Sequence, residues 1–227
     1  MDIPNRDELE RKFGREIARA NGEQLDKLLK HLGDPPKLEN VPTEFWQNTS
    51  KDLLAAITPF LEKVYLDQAA EFLGSQSIGV DWAAVNQAAS DWASRYSFDL
   101  VSGINANTMQ TLQTAVSNYY QSGQNIGTLE QSITSLYGPV RAEAISITEI
   151  TRASAEGEQG LINQILRDNS SLVDDPVWQT NNDDLVCPIC GPRNGKRRSS
   201  GTWTTPPPAH VRCRCWLNHK LTVRKNG

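Results

Sequence analysis

Cysteine is almost absent from this sequence: there are four, and all of them fall between residues 187 and 215. Histidine and methionine are as scarce, with three and two residues. No apolar run approaches the roughly 18 residues that span a bilayer, so no membrane partner is expected. The first residues, MDIPNRDELERKFGRE, lack the apolar stretch of a secretory signal. The cysteines are therefore expected to meet a reducing cytosol, where a cluster is more often metal-binding than disulfide-bonded. Catalytic signatures are missing too. There is no HExxH, P-loop or GxSxG, and no His-x-Glu of the kind a zinc deaminase needs. No internal repeat is present, and an enzyme is not expected.

Acidic residues vanish after Cys187. That end holds nine basic residues and no Asp or Glu, which leaves −13 on residues 1–187 out of a total of −4. The basic residues are Arg193, Lys196, Arg197, Arg198, Arg212, Arg214, Lys220, Arg224 and Lys225. Such an end suits a polyanion or an acidic protein surface, and it equally suits neutralising the protein's own acidic body.

What is present in that window is a pair of knuckles. Cys187-Pro-Ile-Cys190 is followed by His210-Val-Arg-Cys213-Arg-Cys215. A two-residue gap between donors, used twice, is metal-site spacing. Cys213 and Cys215 would face the same way on a strand, so Cys215 can replace His210 as the fourth ligand. Four ligands leave no open position, so the metal is expected to be structural zinc. Cys-Pro-Ile-Cys also resembles a redox motif. Gly191-Pro192 follows it, however, where a helix would be needed, and no βαβ pattern surrounds it.

Residues 1–170 read as helices. Leu9, Phe13, Ile17, Leu25, Leu28 and Leu32 define the first, with a break expected at Asn21-Gly22 and an end at Asp34-Pro35-Pro36. Thr43 opens the next, to about Leu73, with a kink expected at Pro59. Trp82, Val85, Ala89, Trp92 and Tyr96 form one core stripe. Met109, Leu112, Val116 and Tyr119 form another after a Gly-Ile-Asn turn. Thr128-Leu-Glu-Gln131 reads as a capping box. Pro139 starts a long helix to about Arg167. Its Ile147, Ile150, Ser154, Gly157 and Leu161 make a close-packing face, while Thr148, Glu149 and Arg152 make a polar face that ties the helix to the strand unit. Strands are expected at Val177–Thr180, Ser200–Thr205 and Cys213–Leu217. The isolated His31 and His219 read as surface residues. The fold class is α+β: a mainly helical N-terminal part with a small C-terminal zinc-stapled α+β unit.

The two constellations in this order resemble the phage Mu F-like head morphogenesis family, the minor head proteins. The matching residues are Thr148-Glu149-Ile-Thr151-Arg152-Ala153 with Gly157. They continue with Trp178-Gln-Thr180, Asp183-Asp184-Leu-Val186-Cys187-Pro-Ile-Cys190 and Gly195-Lys196. They end with Pro207-Pro208-Ala-His210-Val-Arg-Cys213-Arg214-Cys215. The match spans roughly residues 85–217. It implies a structural protein of a tailed-phage head, acting in capsid assembly at or near the portal. The partners implied are the portal protein and other capsid or internal head proteins, with non-specific DNA contact by the basic end. The place implied is the virion, and the host cytoplasm during assembly. The organisation expected is a helical region 1–80 that docks on portal or capsid, the helical part of the Mu F-like domain at 81–170, and its basic Cys/His unit at 171–227. Two other readings stand beside it: a phage-derived effector enzyme such as a nuclease or transferase, and a zinc-ribbon nucleic-acid binder.

Overall fold

The computed structural model describes residues 2–76, 78–181 and 186–224. Within them run α1 (Arg6–Leu32), α2 (Thr43–Gly74), α3 (Trp82–Ser122), α4 (Ile126–Tyr137) and α5 (Pro139–Asp168). Four short strands follow: β1 (Leu172–Asp174), β2 (Val177–Gln179), β3 (Trp216–Asn218) and β4 (Leu221–Val223). A mainly helical N-terminal region thus precedes a smaller region of strands and cysteines. No described helix is long and apolar enough to cross a membrane.

The chain divides into two compact units, each discontinuous in sequence. One comprises residues 1–10, 61–92 and 147–227; the other comprises 11–60 and 93–146. The second unit is all helix. Leu28, Leu32, Phe45, Leu112, Val116, Leu129, Ile133 and Tyr137 bury together in it, and Phe13 stacks on Phe60 at 4.5 Å.

In the first unit, Ala69 and Phe72 of α2, Val85 of α3 and Leu161, Ile162 and Ile165 of α5 share a core. Leu172 of β1 and Leu221 of β4 pack against it. The strands pair as two antiparallel ribbons: β1 with β4, where Val173 faces Thr222, and β2 with β3, where Trp178 faces Leu217. The α2–α5 approach depends on Gly157. A Cβ placed there would lie 2.3 Å from the Tyr65 carbonyl oxygen, so no side chain fits. The rest of the expected face, Ile147, Ile150, Ser154 and Leu161, is buried as well.

Several expectations need correction. α1 runs unbroken through Asn21-Gly22, and α3 runs through Gly103-Ile104-Asn105. A helical glycine costs only about 1 kcal/mol, and neighbouring contacts outweigh that here. Asn105 donates to the Ser50 hydroxyl at 2.8 Å, and the Ile104 carbonyl accepts from Arg141 at 3.2 Å. Pro59 lies inside α2, as expected. The N-cap of α4 is Asn125, not Thr128: its side chain accepts from the Thr128 amide at 2.9 Å. Trp82 and Met109, placed in the core stripes, are 40 % and 37 % exposed. Of the strands, the one expected at Ser200–Thr205 is absent, and the one expected at Cys213–Leu217 lies at Trp216–Asn218, so Cys213 and Cys215 precede it. A 3-10 turn, Arg198–Ser200, ends at Gly201 in the left-handed region. The strands β1 and β4 carried no sequence signal strong enough to place them.

Candidate metal centre

The first knuckle is a tight turn. The amides of Cys190 and Gly191 donate to the Cys187 carbonyl at 3.1 and 2.9 Å, and the Cys190 amide also points at Cys187 Sγ at 3.4 Å. Pro192 then fits the first turn of a short 3-10 helix, Gly191–Arg193. The second knuckle repeats the device, with the Cys213 amide donating to the His210 carbonyl at 3.2 Å.

The knuckles meet. Cys187 Sγ lies 3.0 Å and Cys190 Sγ 3.3 Å from His210 Nε2, and Cys190 Sγ lies 3.9 Å from Cys213 Sγ. Two triads result, Cys187–Cys190–His210 and Cys190–Cys213–Cys215. In each, the donor atoms lie within 4.8 Å of one another, and Cys190 belongs to both. Zinc–sulfur bonds of about 2.3 Å in a tetrahedron put sulfurs about 3.8 Å apart. The Cys190–Cys213 spacing matches that value, while the shorter His210 contacts must open by a few tenths of an ångström. These side chains can hold a metal ion. All five residues expected from the sequence are brought together.

The histidine is set up as a donor. Its Nδ1 lies 2.7 Å from the Val211 carbonyl, which can only accept, so Nδ1 carries the proton and Nε2 offers its lone pair to the thiols. Burial would lower the His210 pKa, yet the Val211 carbonyl and the neighbouring Cys213 and Cys187 hold it above its ordinary value. The thiols divide. A hydrogen bond from Cys215 pulls Cys213 well down, and the same bond pushes Cys215 up. Burial pushes Cys190 up. At Cys187 burial works upward too, but donation from Cys190 and from the Ile189 amide leaves it below the usual thiol value.

Around the donors lies a small core of Trp178, Trp203 and Leu217, with the two indoles 5.5 Å apart and edge-on. The polar face of α5 reaches the second knuckle directly. Thr151 donates to the Cys213 carbonyl at 2.7 Å, and the Arg212 amide donates to Thr148 Oγ1 at 2.9 Å. Arg212 has φ near 63°, the left-handed region, so the Thr148 bond secures an uncommon backbone geometry. Glu149, buried, pairs with the half-exposed Arg152 at 3.2 Å.

The basic residues are not uniformly available. Arg214 pairs with Glu10, with Asp7 at 3.9 Å. Arg197 lies 3.7 Å from Asp175. Arg198 bonds Gln159 at 3.0 Å and lies over Trp203, and Arg193 lies over Trp178. Lys196, Arg212, Lys220 and Arg224 are exposed, and the Arg224 backbone amide bonds Ser171. Lys225, Asp183 and Asp184 lie outside the described residues.

Two features escaped the sequence reading. The start of α1 serves this site: Arg6 is buried and donates to Thr151 Oγ1 at 3.2 Å, and Glu10 holds Arg214. No local pattern announces such a long-range pairing. His219 is not a surface residue. Its Nδ1 lies 2.8 Å from Asp174 and its Nε2 3.8 Å from Glu158, which accepts from Gln68 at 2.8 Å. A signal for it existed. Cys213, Cys215, Leu217 and His219 alternate with outward residues, and all four are buried. His31 is exposed, as expected.

No family model, curated protein or solved structure matches this chain.

Proposed function

We propose that the chain is a structural head protein of a tailed phage, a minor head protein of the Mu F-like kind. It would act in head assembly at or near the portal. One observation carries the reading. The two halves of the motif, some sixty residues apart, bond each other directly through Thr148 with Arg212 and Thr151 with Cys213. They behave as one built unit rather than as two coincidences of spacing. In this reading one zinc ion is held by Cys187, Cys190, His210 and Cys213, with Cys215 beside Cys190 and Cys213. The ion is structural. It fixes a loop rich in Gly, Pro and Ser that has little core of its own. Contact with packaged DNA falls to the exposed Lys196, Lys220 and Arg224, while Arg214, Arg197 and Arg198 are engaged within the protein.

Mass spectrometry of purified particles tests the assignment. The chain should be present at a few copies, and deleting its gene should yield defective heads. Normal infectious particles that lack the protein would refute it.

A further inference from the structure

The metal-binding turns carry a feature that coordination does not use. Val186, Ile189 and Val211 are 37 %, 50 % and 67 % exposed. Each adjoins in sequence one donor of the Cys187–Cys190–His210 triad, which places all three on the tip formed by the two turns that carry those donors. Arg193 and Arg212 flank that tip in sequence, and no acidic residue follows Cys187. The result is an apolar tip in basic surroundings, on turns whose shape is already fixed. Little conformational freedom is left to lose on docking.

The other compact unit presents the complement. Between α1 and α2 lies a groove of about 360 Å³. Ala20, Ala55 and Ala56 line it together with Glu16, Glu23 and Asp52. Arg19, also in the lining, is paired with Glu16 and Glu23 at 3.1 Å each, so the lining stays net acidic. DNA would favour the positive charge of the tip but gains nothing from three exposed aliphatics. A net acidic groove with alanines in its lining favours both.

We infer that the chain self-associates head to tail, the Val186–Ile189–Val211 tip of one copy seating in the α1–α2 groove of the next. The contact joins two different surfaces, so each copy offers one tip and one groove. It does not depend on the phage-head reading.

Sedimentation velocity on the full chain at low salt, from micromolar to submillimolar concentration, tests it. Wild type should associate increasingly with concentration. Ile189→Asp with Val211→Asp removes the tip. Glu16→Lys with Asp52→Lys removes the groove on exposed helix surface, and so keeps the test open if the tip variant misfolds. Each variant alone should weaken association about tenfold or more. Mixing the two should restore a 1:1 dimer, tip to groove, that grows no further. A wild type that stays monomeric, variants that associate like wild type, or a mixture that forms no dimer would each overturn the proposal. So would a tip variant that loses only DNA binding.

Discussion

Two glycine-to-alanine changes in helices should move stability in opposite directions. Gly103 lies inside α3, and a Cβ added there meets nothing within 4 Å. Gly103→Ala should therefore express helix propensity alone, a gain of about 0.8–1 kcal/mol. Gly157 lies inside α5, and its added Cβ would sit 2.3 Å from the Tyr65 carbonyl oxygen and 3.0 Å from that residue's carbonyl carbon and Cα. These are backbone atoms, so relief requires α2 to move bodily. Overpacking costs about 1–3 kcal/mol, and a backbone obstacle puts this site at the upper end. Set against the same propensity gain, Gly157→Ala should lose about 2 kcal/mol. In a chain of this size each kcal/mol moves the melting temperature by about 2–4 °C. Circular dichroism melts should show Gly103→Ala about 2–4 °C above wild type and Gly157→Ala about 4–8 °C below. If Gly157→Ala melts at or above wild type, α2 and α5 do not approach as described.

Further outcomes rest on named contacts. Thr151→Val leaves the buried Cys213 carbonyl without its 2.7 Å donor, and should cost about 1–3 kcal/mol by urea unfolding while weakening metal retention against a chelator. His219→Leu strips Asp174 of its 2.8 Å partner in a buried site, and should cost about 3 kcal/mol; an unchanged melt would return His219 to the surface role. Burial raises the Glu156 pKa above its ordinary value, against a smaller opposing pull from Arg152. A carboxyl raised on folding binds its proton more tightly when folded, so it subtracts stability as pH rises from about 4.5 through its folded pKa. Glu156→Gln should therefore unfold at higher urea than wild type at pH 7, with the advantage gone at pH below about 4.

Much of the site was legible because its signals are local. The two-residue gaps of Cys187–Cys190 and His210–Cys213 dictate knuckles whatever surrounds them, and the small residues of α5 announce a close neighbour. Legibility failed where long-range contacts decide. Gly22 and Gly103 look like breaks, and tertiary packing overrides a cost of about 1 kcal/mol at each. Arg6 and Glu10 carry no distinguishing signal near the start of α1, yet they hold Thr151 and Arg214. β1 and β4 are three residues each, too short for periodicity to register, and they form only because each supplies the other's ladder. His219 could have been found by carrying the alternation of Cys213 and Cys215 two steps further.

X-ray absorption at the zinc edge of untagged full-length protein, with metal content measured on the same sample, tests the metal centre most directly. About one zinc per chain is expected, with three sulfurs near 2.3 Å and one nitrogen at about 2.0–2.1 Å. Removing it with a chelator should lower the melting temperature. Metal-free protein that melts at the same temperature as the native sample would contradict the account. A shell of four sulfurs would instead put Cys215 in the place given to His210.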